Sequence, residues 1–166
     1  MRNKTIKLTT LALMVTFALI LSYIESRIPA FVAIPGIKVG LANIAVIFAL
    51  YKMGIGEAIA LSAVRVVLVS LLFGNPVSLI YSLAGAVLSL AVMFILKKLT
   101  PLGEVTVSVC GGVMHNVGQI VVASIILDTN VVAYYLPFLI LSGTIAGVVV
   151  GAVSALLIKK VKLPKM

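Results

Sequence analysis

Four polar side chains interrupt apolar segments of this sequence at depths where a lipid-facing helix would carry none. His115, Asn116 and Gln119 lie within CGGVMHNVGQIVVASII (110–126), and Arg65 lies near the middle of another apolar run. Gln119 follows His115 by four residues, so a helix places the imidazole and the amide on one face. We interpret these residues as candidates for binding a polar solute. For His115 or Asn116 taken singly, an interhelical hydrogen bond is the alternative.

The same residues offer little for catalysis. Cys110, the single cysteine, precedes His115 by five residues and would lie on nearly the opposite helix face, and no carboxylate pair suggests acid–base chemistry. One cysteine and one histidine also exclude an intrachain disulfide, a cysteine-rich metal site and ligation of haem or iron–sulfur clusters. The sequence therefore predicts a binding protein with no catalytic residue, no resident cofactor and no metal.

The composition indicates a membrane protein. The 166 residues are 63% hydrophobic and 10% charged, and the mean hydropathy of +1.31 lies far above the range of soluble domains. The exterior must therefore be solvated by acyl chains. The net charge of +9 does not indicate nucleic-acid binding, because the thirteen Lys and Arg residues are dispersed between apolar segments instead of forming one basic face.

The apolar runs predict an all-α membrane protein whose residues 1–166 form a single integral membrane domain, with six transmembrane helices in one compact bundle. The second run is short, and Pro35 and Gly36 could begin it as a bent or re-entrant entry. Glu25 and Arg27, instead of a small-x-small cleavage site, follow the first run, which favours a retained helix over a signal peptide. The predicted spans are 8–24, 39–53, 57–73, 76–96, 105–127 and 131–158.

Charge asymmetry predicts the orientation. If the N-terminus is cytoplasmic, ten of the thirteen basic residues fall on the cytoplasmic side, two on the opposite side and Arg65 within a span. This count supports six helices with both termini in the cytoplasm. The two on the opposite side are Arg27 and Lys38, and the ten are Arg2, Lys4, Lys7, Lys52, Lys97, Lys98, Lys159, Lys160, Lys162 and Lys165.

Polar residues around the first long loop extend the candidate site. Glu25, Arg27, Lys38 and Asn43 would line an outward-open pocket together with the residues at mid-depth, and its positive balance would suit an anionic or phosphorylated small molecule. The alternative for Arg27 and Lys38 is that their side chains extend along the surface to reach water. The predicted substrate-binding residues are Lys38, Asn43, Arg65, His115, Asn116 and Gln119.

The last span carries a stripe of small residues. Gly143, Gly147, Gly151 and Ala155 stand four residues apart, which predicts a flat ridge that another helix can approach closely. The partner is either a helix of the same bundle or another subunit.

Several segments resemble a known family. The motif K-x-G-L-A-N in PGIKVGLANIAVIFALYKMG (35–54) and the motif H-N-x-G-Q in MHNVGQIVVA (114–123) are similar to the Gx transporter family, also named heptaprenyl diphosphate synthase component I. The segments EAIALSAVRVVLVSLLFG (57–74), YSLAGAVLSL (81–90) and YYLPFLILSG (134–143) support the resemblance, which runs nearly from end to end.

This family is similar to the S components of energy-coupling factor (ECF) transporters. The resemblance implies a small six-helix protein of a bacterial cytoplasmic membrane, with the ligand in the outer half under a gating loop between the first two helices. It also implies a membrane coupling subunit and ATPases in other chains, because this chain has no nucleotide-binding P-loop. The coupling subunit would contact an A-x-x-x-A patch on the first helix, for which Ala12 to Thr16 is the nearest match.

Three functions follow from these observations. The favoured one is uptake of a small vitamin-like or anionic solute, which requires a cavity that opens to the outer aqueous face. The second is an accessory, non-catalytic role in isoprenoid or quinone metabolism or in flavin-linked extracellular electron transfer, and a lateral gap between helices would favour it. Asp128, the single aspartate, cannot supply the aspartate-rich metal site of a prenyl-elongating enzyme. The third is a scaffold without a cavity that docks another subunit through the small-residue ridge.

Overall fold

The computed structural model describes residues 2–27, 40–74, 76–129 and 131–163. These residues form helices, and no strand occurs among them. The last helix begins directly after a 3-10 turn, Val131–Tyr135. The α-helices are α1 (Arg2–Arg27), α2 (Asn43–Lys52), α3 (Ile55–Phe73), α4 (Pro76–Leu99), α5 (Glu104–Ile126) and α6 (Leu136–Lys160).

Five of these helices are long and apolar enough to cross a membrane, all but α2. Their outer faces carry large apolar side chains that no part of the described chain covers, for example Leu71, Val87 and Ile125, which are 75%, 68% and 73% exposed. A soluble protein rarely leaves so much apolar surface in water. The chain is therefore a multi-pass membrane protein.

The second helix differs from its prediction. A span over 39–53 was expected, whereas α2 runs from Asn43 to Lys52, and ten residues rise only about 15 Å of the roughly 30 Å of hydrocarbon. Every residue from Ile44 to Leu50 is buried, and α2 contacts α1, α3 and α6. A helix that is apolar on all sides is typical of a core position, and α2 lies inside the bundle.

Two contacts define one end of the bundle. Lys7 of α1 forms an ion pair with Glu57 of α3, and Lys97 of α4 donates a hydrogen bond of 2.6 Å to the carbonyl oxygen of Leu50 in α2. Helices α1 and α3 therefore begin where α2 and α4 end. We call this the lysine end of the bundle and the opposite one the cavity end.

The glycines of α6 pack against α5, and the two helices run antiparallel. A Cβ atom added at Gly147 would lie 2.6 Å from the Cα of Val109, and one added at Gly151 would lie 2.7 Å from the Cα of Val105. Such distances leave no room for a side chain, and close backbone approach gives dispersion contacts that replace the missing hydrophobic drive in lipid. The part of the predicted ridge that carries these glycines contacts α5 of the same chain, so it is not an outer docking surface.

Candidate functional site

A cavity of about 320 Å³ lies inside the bundle, and all six helices contribute to its lining. It includes residues from the cavity end, such as Ser26 and Phe73, and continues as deep as Met93 and Ser108. Lys38 lies outside the described residues. The other predicted binding residues all line this one cavity: Asn43, Arg65, His115, Asn116 and Gln119.

Arg65 projects from the middle of α3 into the cavity. Its Nε atom is buried and has no hydrogen-bond partner among the described residues. The ion pair found in the described part of the chain joins Lys7 and Glu57 at the lysine end and does not involve Arg65. Bringing a guanidinium into an apolar bundle is expensive unless something solvates it. The cavity provides the space for water or a ligand to do so.

Glu25 is the acid that shares the cavity with Arg65. Both residues line it, but they form no ion pair with each other. The Oε1 atom of Glu25 also accepts a hydrogen bond of 2.5 Å from the backbone N–H of Gly40. Gly40 has a φ of 72°, a backbone conformation that glycine adopts without strain. This bond joins the end of α1 to the entry of α2.

The predicted positive balance of the pocket stays a prediction, because Lys38 lies outside the described residues. Arg27 does not line the cavity; it is exposed, and its guanidinium lies 5.1 Å from the centre of the Tyr23 ring. The formal charges of the described lining are one guanidinium and one carboxylate, with His115 taken as neutral. Sequence reasoning placed Arg27 in the pocket because a charged residue at a helix end gives no indication of the direction of its side chain.

The polar residues of α5 have different roles. Asn116 is buried, and its Nδ2 atom donates a hydrogen bond of 2.7 Å to the carbonyl oxygen of Leu139 in α6. This bond is the interhelical contact that the sequence left open as the alternative. His115 packs against α4 where Gly85 leaves space, because a Cβ added at Gly85 would lie 2.9 Å from the His115 Cε1 atom. Gln119 lies one helical turn closer to the cavity end.

Hydroxyl groups complete the lining, and sequence reasoning missed them. Their spacing could have indicated them. Ser22 and Ser26 stand four residues apart on α1, and Ser82 and Ser89 stand seven residues apart on α4, so each pair shares one helix face. An aromatic ring, Phe73, lies at the end of α3. The lining serines are Ser22, Ser26, Ser82, Ser89 and Ser108.

A second, lateral groove lies between α3 and α4. Its volume is about 450 Å³, and it shares no lining residue with the central cavity. Apart from Ser62 its lining is apolar: Ile55, Ile59, Ala63, Leu83, Ala86, Val87, Leu90, Ala91 and Phe94.

A comparison with protein families identifies the chain. The family model described as heptaprenyl diphosphate synthase component I matches residues 14–157. The protein belongs to this family. No curated protein and no solved structure matches the chain. The match confirms the family resemblance read from the sequence motifs, and its range includes each described residue of the predicted site.

The central cavity has the chemical groups needed to bind a polar ligand. A guanidinium, a carboxylate, an imidazole, three buried or half-buried amides and several hydroxyls surround one space. Together these groups can donate to and accept from a polar ligand on several sides. Among the described residues no group of three His, Cys, Asp or Glu side chains is placed to hold a metal ion.

Proposed function

We propose that this protein is the membrane-embedded, substrate-binding subunit of a transporter. It takes up a small polar solute from outside and depends on other chains for energy. The observation that carries the proposal is the Arg65 guanidinium: Arg65 lines a polar cavity, and its buried Nε atom has no hydrogen-bond partner among the described residues. A solute that contacts this group would replace the water that the apolar bundle cannot supply.

The charge distribution supports an orientation in which the cavity faces outward. The lysine end is cytoplasmic in this proposal, because basic residues accumulate on the cytoplasmic side of membrane proteins. Helix α2 then forms the sixth membrane-embedded segment without crossing the bilayer fully by itself. The described lysines at this end are Lys4, Lys7, Lys52, Lys97, Lys98, Lys159, Lys160 and Lys162.

Energy would come from partner chains, and this subunit would catalyse no reaction. Family resemblance to S components implies a coupling subunit and ATPases. Helix α1 is the least buried of the five long helices, and Ala12 and Thr16 lie on its exposed face. The Thr16 hydroxyl donates a hydrogen bond of 3.0 Å to the Ala12 carbonyl oxygen. Both residues are small, so a second helix could approach α1 closely at this point.

Replacing Arg65 tests the proposal directly. Purified Arg65→Met protein and an Arg27→Met control would be screened by thermal shift against vitamins, nucleotides, amino acids and prenyl phosphates. Arg27 is a matched control because it is the same residue type on the exposed surface outside the cavity. We expect ligands that stabilise the wild-type protein and the control to lose at least about tenfold in affinity for Arg65→Met. Equal binding by all three proteins would remove Arg65 from the site and contradict the proposal.

The lateral groove favours a second candidate function. Its apolar lining suits a prenyl or quinone tail from the bilayer, as expected of an accessory protein in isoprenoid or quinone metabolism. Ala91→Phe fills the groove from α4 without touching the central cavity. If this variant loses binding of a quinone or prenyl phosphate while Arg65→Met retains it, the accessory role replaces transport.

A further inference from the structure

The charges of the cavity restrict the chemical class of its ligand. Resting on the proposed function, we infer that the ligand is a small zwitterion, with an acidic group against Arg65, a cationic group towards Glu25 and a polar body among the amides and hydroxyls. Such a ligand satisfies both charged groups of the described lining. A purely anionic solute satisfies only one of them.

The positions of the two charged residues give the ligand a direction. Arg65 lies at the middle of α3, whereas Glu25 lies near the end of α1 at the cavity end. The acidic group would therefore enter first and the cationic group would stay near the mouth. A guanidinium binds a carboxylate with two parallel hydrogen bonds, and one buried guanidinium suits one such group.

A diphosphate fits this lining poorly. Diphosphates carry several negative charges, and the described lining offers Arg65 as its single guanidinium, with no lysine beside it. The Glu25 carboxylate faces the same space and would repel the excess charge. Removing hydration from several anionic oxygens requires several cationic or backbone donors, as in sites built for phosphates.

The remaining lining indicates a compact, hydrogen-bonding ligand. The cavity volume of about 320 Å³ lies at the lower end of small-molecule sites. Serine hydroxyls from α1, α4 and α5 and the amides of Asn43 and Gln119 surround this space. Phe73 lies at the cavity end and can cover one apolar face of the bound molecule. An amino acid or a similarly sized amino-acid derivative has these properties.

Four matched ligand classes test the inference. Wild-type protein in lipid nanodiscs would be titrated with the common amino acids, their deaminated carboxylic acids, their decarboxylated amines, and prenyl mono- and diphosphates. We expect the tightest binding from a zwitterion, and at least about tenfold weaker binding of both the matched acid and the matched amine. A wild-type protein that binds a diphosphate or a plain anion most tightly would overturn the inference.

Glu25→Gln provides a second, independent readout. The amide oxygen of glutamine can still accept from the Gly40 N–H, so the contact between α1 and α2 is retained. Affinity for the zwitterion should fall about tenfold, whereas affinity for the matched acid should stay equal or rise. A uniform loss across both classes would contradict the inference, and Glu104→Gln, the same change at a residue outside the cavity, serves as the control.

Failure of the inference and failure of the proposed function give different results. If the tightest ligand is a polyanion whose binding needs Arg65, the transport proposal stands and the zwitterion inference is wrong. If nothing in these four classes or in the thermal-shift screen binds the wild-type protein, or if binding does not depend on Arg65, the proposed function itself is contradicted.

Discussion

Helix α5 has two sides that are built in opposite ways. Towards α6 it contacts the neighbouring backbone so closely that a Cβ at Gly112 would lie 2.7 Å from the Gly143 carbonyl oxygen. It packs closely on α4 as well, where a Cβ at Gly118 would lie 2.9 Å from the Ala84 carbonyl oxygen. Its remaining side faces a cavity of about 320 Å³ that many polar groups line. The same 23-residue helix therefore takes part in the glycine seam with α6 and in the polar cavity of the described bundle.

This difference shows how a small membrane protein can keep an open interior. Without a hydrophobic drive between helices, stability has to come from close packing and interhelical hydrogen bonds. Glycines in the α5–α6 seam and in the contact with α4 hold these three helices together, so the side of α5 that faces the cavity can leave polar groups exposed to a ligand.

The largest expected effect is in the seam. Gly147→Ala adds one methyl group 2.6 Å from the Val109 Cα atom, which forces the two backbones apart. We expect a loss of about 3 kcal/mol in the free energy of unfolding, because the clash is with backbone and cannot relax by side-chain rotation. Denaturation of the purified protein in detergent, followed by circular dichroism, measures this.

Gly56→Ala is the matched control for the seam. A Cβ at Gly56 has no neighbour within 4 Å, so the same substitution should be neutral or should stabilise α3 by up to about 1 kcal/mol. If Gly147→Ala is as stable as Gly56→Ala, the seam is looser than described and the contrast between the two sides of α5 disappears.

The second largest effect is expected at Lys97. Its ammonium group donates to the Leu50 carbonyl oxygen at 2.6 Å and lies 4.8 Å from the centre of the Tyr51 ring. Lys97→Met leaves a carbonyl at the end of α2 without this charged donor and should cost about 1.5–2 kcal/mol. The adjacent Lys98, exposed and 6.0 Å from the Phe94 ring, is the control. Equal unfolding midpoints for Lys97→Met and Lys98→Met would show that the contact adds nothing.

Most of the fold could be predicted from the sequence, because a helix in lipid needs a long apolar run. The predicted span 57–73 compares with α3 at Ile55–Phe73, and the span 76–96 with α4 at Pro76–Leu99. The error was α2, which has the composition of a span but ends after ten residues. Composition cannot distinguish a helix surrounded by lipid from one surrounded by other helices, since both are apolar on every side.

The candidate site could be predicted only where polar residues are rare. Arg65 and His115 stand out because a charge or an imidazole is expensive in an apolar span. The lining serines were missed because a serine hydroxyl can bond to its own helix, as Ser154 does with the Val150 carbonyl oxygen at 2.7 Å. Nothing in the sequence separates Ser154 from Ser89, which faces the cavity. That the lining residues bind a ligand stays a prediction.

A smaller effect is expected from Asn116, which lines the cavity and also bonds to α6. Asn116→Ala removes the 2.7 Å bond to the Leu139 carbonyl oxygen and should cost about 0.5–1.5 kcal/mol, the range of such bonds in membranes. Gln119→Ala is the control, because Gln119 lines the same cavity and no hydrogen bond joins it to another helix in the described chain. Unfolding in detergent should therefore separate the two variants. A loss of stability for Gln119→Ala equal to that for Asn116→Ala would contradict the distinction.

The smallest effect on stability is expected at Arg65, although it is the most polar residue in the bundle interior. Arg65→Met replaces a guanidinium whose Nε atom has no partner in the described chain by an apolar side chain of similar length. Without ligand, the free energy of unfolding should stay unchanged or increase, because no hydrogen bond to a described residue is lost and a desolvated charge is removed. Lys97→Met provides the contrast, since it also removes a cation but one with a carbonyl partner. A loss for Arg65→Met as large as that for Lys97→Met would mean that the guanidinium holds the bundle together, and the open side of α5 would then be structural.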